Sequence, residues 1–399
     1  MKINTKNYFL IYLLILFSFS FFFLYHKHLV ENDSTISEWM INYSGGFTKR
    51  GIIGQICIFF AENLNLSLRF VILVFQTLIL FIYFSLLFLF FNKIKVNKIM
   101  LFSIFSPIFL LYPVAEIEVL ARKEIFVFSF YLTYMLIRNI RNKSLFIFVG
   151  LPIVVLIWEP VLFFLPFFIA LEIFNHKYKS LKNFIFQKSY VFFPAIIVGI
   201  LIIFNPISDE NHEIMKNYLK VNFNESCYMS CHLLKTKQTI LQQFNPLSKY
   251  NFEVVIRYIL ILVIGFGPLL YLSYFSKIRL KKIFFFDNFR NLLVPQLILL
   301  TPIILLFAMM YDWGRVVNIS YTFLILFYYH LYKNNFISVK IIYPKFLKKI
   351  INNKKLFILI FIIFCFGWNQ KTAITGDIAS FPGYRIPYKT MTKILFDHY

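Results

Sequence analysis

Long apolar runs separated by short polar connections dominate the chain. Stretches rich in Phe, Ile and Leu occupy 8–25, 68–91, 99–114, 125–137, 144–157, 161–174, 189–204, 254–275, 292–310, 316–332 and 356–368. Runs of this kind predict helices that cross a bilayer, and eleven of them predict an all-α, polytopic bundle. Several are shorter than the roughly 20 residues needed to span about 30 Å at 1.5 Å per residue. They reach that length only by drawing in flanking polar residues such as Glu116 to Glu124, which places those residues at the membrane boundary.

Composition agrees with the pattern. Of 399 residues, 59% are hydrophobic and 15% charged, and 54 are Phe. A water-soluble domain needs about a quarter of its residues charged to coat its surface. Lipid is therefore expected to solvate much of the exterior, and no stretch is left that could form a separate extramembrane domain with its own core. The run 8–25 resembles a signal peptide, but its exit, Tyr25-His26-Lys27-His28, lacks the small residues a peptidase requires. It reads as a retained first anchor.

The formal charge of +23 would suit a nucleic-acid partner if it were spread evenly. It is not. The N-terminus and the connections 92–98, 138–143, 175–188, 276–291 and 333–355 hold 24 of the 41 Lys and Arg and, counting the adjoining Glu172, only two of the 18 acids. The alternate connections and their borders hold the other 17 basic residues and 16 acids, so the net charges are +22 and +1. The positive-inside rule then puts the first set and the N-terminus in the cytoplasm, and the other set and the C-terminal tail outside. The basic balance becomes a topology signal, the expected location is a bacterial inner membrane, and no nucleic acid is expected as partner. The cytoplasmic connections carry no Walker-type or Rossmann-type glycine pattern, so no nucleotide cofactor is expected.

Three exterior pieces are larger than a hairpin. The connection 26–67 contains Gly45-Gly46-Phe47-Thr48-Lys49-Arg50-Gly51 and then an apolar stretch, 52–61, too short to span and suited to a re-entrant or interfacial helix. The segment 205–253 is the longest loop, and the tail 369–399 holds Pro382-Gly383-Tyr384 and Pro387. Cys57 and Cys365 sit in apolar stretches as buried small hydrophobes. Cys227 and Cys231, four apart in the long exterior loop, would have Cα atoms about 6 Å apart on a helix and are expected to form a disulfide. A metal pair with His232 is the alternative, but two Cys and one His do not complete a tetrahedral zinc site, and no metal is expected.

Charged residues at membrane depth are costly, so four exterior clusters need a reason. The glycine-rich segment sets Lys49 and Arg50 just before a helix start, an arrangement suited to phosphate, or a tight turn whose cations face lipid headgroups. Glu116, Glu118, Arg122, Lys123 and Glu124 form the second cluster, in which a helix would pair Glu118 with Arg122. Trp158-Glu159-Pro160 is the third, a tight hairpin whose one acid either snorkels to water or faces a cavity as a proton acceptor. The fourth is Asp312-Trp313-Gly314-Arg315, where Asp312 could simply pair with Arg315 and Trp313 could belong to the interfacial aromatic belt. No Ser/His/Asp nucleophile signature occurs.

Cations suited to a diphosphate, interleaved with carboxylates suited to a general base, would match a lipid-diphosphate-linked sugar. The chain resembles the polytopic polymerases of bacterial surface polysaccharide, the O-antigen and capsule repeat-unit polymerases, in its length, many spans, Phe/Ile/Leu-rich composition and one enlarged exterior loop. That resemblance implies transfer of a growing glycan from undecaprenyl diphosphate to the next lipid-linked repeat on the periplasmic face. Other polysaccharide-assembly membrane proteins would be its partners. No catalytic residue is carried over from the family. On the residues themselves, Arg50, Arg122 and Arg315, with Lys49 and Lys123, would hold the diphosphate, and Glu159 or Asp312 would take the acceptor proton. One departure is the moderate size of the largest exterior loop. It leaves room for lipid-phosphate-sugar-dependent glycosyltransferases, whose first exterior loop carries acids, here Glu31, Asp33 and Glu38. A flippase or transporter would instead need charges near the bilayer midplane and broken helices. In a non-enzymatic assembly subunit the clusters would not converge.

Overall fold

The computed structural model describes residues 5–30, 32–236, 239–244, 252–279, 283–310, 312–368 and 370. The proposed tail beyond residue 370 and Glu31 lie outside that set. Each of the eleven apolar stretches is helical over most of its length. Among the described residues six helices are long and apolar enough to cross a membrane: Lys6–His28, Leu68–Phe91, Lys98–Ala115, Glu159–His176, Leu181–Phe204 and Val254–Tyr274. Large apolar side chains such as Leu78, Phe81, Ile197, Val263 and Ile304 point outward, which only a lipid surrounding tolerates over so wide an area. The protein is a helical membrane protein.

The helix Trp313–Lys333 runs through the middle, with every residue from Trp313 to Leu331 buried. At its centre Phe323 stacks on Phe164 at 4.3 Å and meets Tyr131 at 4.7 Å and Phe167 at 5.6 Å. This aromatic layer separates two polar ends. At one end Tyr134 donates to Glu172 at 2.5 Å, and His176 lies 3.1 Å from the same carboxylate. The acid-rich connections gather at the other.

Three departures from the sequence reading matter. First, one short two-stranded ribbon joins the helices and leaves the all-α class unchanged. Ser276–Ile278 and Ile337–Val339 pair antiparallel, Lys277 opposite Ser338, because the ends of neighbouring helices bring two Lys-rich connections side by side. Phe284 N–H donates to the Tyr178 carbonyl at 2.8 Å, tying in a third connection of the same class. Second, the stretch expected to span as one helix over 99–114 is broken. Ser106 is extended, residues Pro107–Leu111 form a wide π turn, and Phe109 leaves helical geometry at φ −100°, ψ −108°. Pro107 and Pro113 withhold the N–H groups that a regular helix would use. Asn318 Nδ2 supplies the missing partners, donating to the carbonyls of Ile108 and Phe109, each at 2.8 Å. Third, the long segment 205–253 contains a helix, Asp209–Phe223. Ser208 caps it through Asn211 N–H, Asp209 and Glu210 occupy its first turn, and Asn224 ends it in the left-handed conformation. Its low apolarity hid it from a search for hydrophobic runs.

Candidate functional site

A six-residue helix, Ser34–Trp39, is the base of the site. Asp33 starts it by accepting from Thr35 N–H at 2.8 Å and Ile36 N–H at 3.0 Å, and all six of its residues are buried. Trp39 Nε1 donates to the Ala121 carbonyl at 2.9 Å. The following segment passes so close to the helix Gly51–Leu64 that a Cβ on Gly54 would lie 2.0 Å from the Ile41 carbonyl oxygen. Gly45 meets the Asn211 carbonyl oxygen in the same way, at 1.9 Å, so the connection 26–67 and the long segment 205–253 are pressed together. The expected apolar stretch 52–61 is thus part of a longer helix of 14 residues.

That packing leaves Glu38 with no solvent exposure at the meeting point of three arginines from separate parts of the chain. Its Oε1 lies 3.5 Å from Arg50 Nη1 and 3.6 Å from Arg315 Nη2, and its Oε2 lies 3.5 Å from Arg122 Nη1. Burial alone would raise the Glu38 carboxyl. Arg315, Arg122, Arg50 and Lys123 outweigh it and hold the group below the ordinary carboxylate range, so it is ionised.

The other charged residues close the network. Arg50 grips Glu159 at both oxygens, Nε to Oε2 at 2.7 Å and Nη2 to Oε1 at 2.8 Å, with Lys49 at 3.9 Å. Arg315 pairs through Nε with Glu124, and its Nη1 lies 4.0 Å from Asp312. Lys123 donates to the Arg50 carbonyl at 2.5 Å. Burial pushes its ammonium down to about 8, opposed by Glu38 and assisted by Arg50. Arg50 and Ala121 both take left-handed backbone conformations, φ 65° and 51°, which non-glycine residues adopt at a cost and which cluster at functional sites.

All four clusters therefore converge, but several roles change. Glu159 is no lone acid facing a cavity: a carboxylate held by both arms of a guanidinium is a poor proton acceptor. Glu118 does not pair with Arg122. Residues Ile117–Val119 are a 3-10 turn and Leu120 is extended, so the helical spacing is lost. Arg122 Nε donates instead to the Glu118 backbone carbonyl at 2.6 Å, while the Glu118 carboxylate accepts from Ser34 Oγ at 2.7 Å and lies 3.4 Å from Lys27. Trp313 is not in an interfacial belt; it is buried against Tyr258 and Phe307 and donates to the Phe307 carbonyl at 2.6 Å. Glu116 is likewise buried. The cations expected to await a phosphate are already compensated. Lys49, Arg50, Arg122, Lys123 and Arg315 surround Glu38, Glu124, Glu159 and Asp312, a net charge of about +1.

Two residues carry more of the site than the sequence suggested. Glu38 is its hub, and Glu124 is the main partner of Arg315. The signal for the first was Asp33 capping a short segment that ends in Glu38-Trp39. The second stood in the charged cluster 116–124, but nothing along the chain pointed to its partner, which lies 191 positions away.

Cys227 and Cys231 are joined by a disulfide, their Cα atoms 5.2 Å apart. The histidine beside them is His212 and not His232: its Nε2 lies 3.5 Å from Cys227 Sγ and 3.2 Å from the Cys231 carbonyl oxygen. With the sulfurs bonded to each other, this group offers one ligand, too few for a metal. The disulfide loop seals the site from above. Ser230 donates to the Ser34 carbonyl at 3.0 Å, and Glu225 accepts from Arg69 at 2.5 and 2.9 Å.

No protein-family model matches the chain, and no curated protein and no solved structure shows detectable similarity to it.

Proposed function

We propose that the chain is a multi-pass glycosyltransferase of a bacterial inner membrane, acting as a surface-polysaccharide polymerase on a polyprenyl-diphosphate-linked glycan at the periplasmic face. The observation that carries this reading is the convergence of Glu38, Arg50, Arg122, Glu124, Glu159 and Arg315, from four separate exterior connections, on one ion-paired centre. A network that only stabilised the bundle would be replaceable by apolar side chains at little cost. Confining it to the acid-rich end fits a substrate presented there.

In this mechanism the diphosphate exchanges places with carboxylates around Arg315, Arg122 and Arg50, which stabilise the charge developing on the leaving group. Glu159 positions Arg50. The acceptor hydroxyl oxygen bonds to the anomeric carbon of the donor, the bond from that carbon to the diphosphate oxygen breaks, and the hydroxyl proton passes to Asp312. Polyprenyl diphosphate leaves. A lipid-phosphate-sugar donor would use the same centre with one phosphate fewer. The broken helix over 107–111 is a feature that transporters share, but the aromatic layer around Phe323 stands between the two polar ends, which favours transfer over transport.

In a strain lacking the gene, wild type restores long-chain polysaccharide and Arg315→Ala does not. Full restoration by single Ala variants at Arg50, Arg122 and Arg315 alike would remove the proposal.

A further inference from the structure

The disulfide of the long segment 205–253 has a third group beside it that the charged centre does not use. His212 stands in the first turn of the helix Asp209–Phe223 and is 1% exposed. Its Nε2 lies 3.5 Å from Cys227 Sγ, and the ligand atoms of His212, Cys227 and Cys231 all lie within 4.8 Å of one another. A tetrahedral zinc ion, with Zn–S about 2.3 Å and Zn–N about 2.0 Å, sets neighbouring sulfur and nitrogen ligands roughly 3.5 Å apart. The imidazole already stands at that distance.

With the sulfurs bonded, this histidine is poorly served. Its Nδ1 is buried with no hydrogen-bond partner among the described residues, and Nε2 meets the Cys231 carbonyl oxygen at 3.2 Å. An apolar side chain would fill the position without leaving a nitrogen unpaired, because Ile41, Ile207, Met215 and Leu234 already surround the cysteines as a small apolar core. The same core makes a dry shell for a soft metal ion. The two sulfurs would also stay close without their bond. Cys231 N–H donates to the Tyr228 carbonyl at 3.1 Å, Leu234 N–H donates to the Cys231 carbonyl at 3.2 Å, and the two cysteine Cα atoms are 5.2 Å apart. From the other side, Gly45 against Asn211 fixes the helix that carries His212.

We propose that Cys227, Cys231 and His212 form a redox-gated site for a soft d¹⁰ cation such as Zn²⁺, closed to metal while the disulfide is intact and open once it is reduced. The reductant is a dithiol. One of its thiolates attacks Cys227 Sγ, the partly exposed sulfur, and the electron pair of the S–S bond leaves on Cys231 Sγ. The second sulfur of the dithiol then displaces Cys227 and closes the donor's own disulfide. Zn²⁺ takes the two thiolates and His212 Nε2, water fills the fourth position, and the two protons of the dithiol pass to solvent. The ion holds the loop whose Ser230 donates to the Ser34 carbonyl, so the roof over the helix Ser34–Trp39 survives reduction. The inference is independent of the glycan-transfer reading.

The test uses the full chain in detergent under nitrogen, reduced with a phosphine, with Co²⁺ as the optical probe and Zn²⁺ as its competitor. Reduced wild type takes up one Co²⁺ per chain with thiolate-to-cobalt charge-transfer absorption, an equivalent of Zn²⁺ bleaches it, and the oxidised chain takes up none. The double variant Cys227→Ser, Cys231→Ser, which retains Cys57 and Cys365, gives no such band. His212→Ala weakens Zn²⁺ binding at least tenfold; if it does not fold, His212→Gln decides. Absence of the band in reduced wild type overturns the site, whether or not the chain still melts cooperatively. Zn²⁺ binding of equal strength in wild type and in the folded His212 variant also overturns it, leaving an adventitious ion on a thiol pair only. None of these outcomes bears on loss of polysaccharide in Arg315→Ala, which decides the transfer reading by itself.

Discussion

Arg50 and Glu159 face each other, Nε and Nη2 of the guanidinium on the two carboxylate oxygens at 2.7 and 2.8 Å, joining the connection 26–67 to the turn at Trp158-Glu159-Pro160. Each side chain is about one-fifth exposed, so the pair sits at the mouth of the site. Removing one partner leaves the other charge poorly solvated. Arg50→Ala or Glu159→Ala should each cost about 3 kcal/mol of stability. Thermal melts in detergent check this, and the double variant should cost less than the two single losses added together.

Glu38 and Asp312 separate structure from chemistry. Glu38 is enclosed by three arginines, so Glu38→Gln removes the charge they share and should lower stability by 3 kcal/mol or more, as for other broken buried networks, on the order of the upper range for single substitutions. Asp312→Asn keeps the shape of the side chain and weakens a long 4.0 Å pair with Arg315, so it should cost less stability than Glu38→Gln, yet abolish polymer formation. A melt and a polysaccharide gel on the same two variants distinguish the roles.

Lys123 gives a pH signature. Its folded value of about 8 lies below its ordinary 10.5. Between those values the unfolded chain holds the proton more firmly than the folded one, so the contribution of Lys123 to stability should rise as pH increases from about 8 to 10.5. The cost of keeping Lys123 charged is fully present below pH 8 and amounts to about 3 kcal/mol. Glu38, Arg50 and Glu159 surround the group and should not change charge across that window, whereas Cys57, whose thiol burial pushes up to about 12, ionises near 9 on unfolding and opposes the rise. Lys123→Gln, which keeps a donor toward the Arg50 carbonyl, should flatten the dependence. The same pH dependence between 8 and 10.5 in wild type and in Lys123→Gln would refute it.

The Cys227–Cys231 bond closes only a short loop, so reducing it should cost about 2 kcal/mol or less. Its larger effect should be on the helix Ser34–Trp39, through the Ser230 contact to Ser34. Hydrogen exchange at Thr35 to Trp39 should quicken in Cys231→Ser, with exchange in Trp313–Lys333 unchanged.

Much of this was legible along the chain because lipid leaves a coarse signal. Helices form at the apolar runs, and the four polar clusters gather at one end of the bundle. What could not be read was pairing. Arg315 meets Glu124 and Glu38, and Arg50 meets Glu159, only because the bundle folds back on itself; local spacing instead suggested Glu118 with Arg122, which an extended Leu120 prevents. The break at Phe109 was hidden for a related reason. Hydropathy averages over Pro107 and Pro113, whereas the backbone cannot, and Asn318 makes the interruption tolerable from a helix far away in sequence.

The central claim is that the charged centre faces the periplasm, and a single labelling experiment reads it. Leu241→Cys, 83% exposed in native form beyond the disulfide loop, and Phe346→Cys, 72% exposed in a Lys-rich connection, provide one probe on each side, because Cys57 and Cys365 are buried and Cys227 and Cys231 are bonded. A membrane-impermeant maleimide applied to spheroplasts should label Leu241→Cys at once and Phe346→Cys only after lysis. Immediate labelling of Phe346→Cys, with Leu241→Cys protected until lysis, would turn the site toward the cytoplasm and contradict the account.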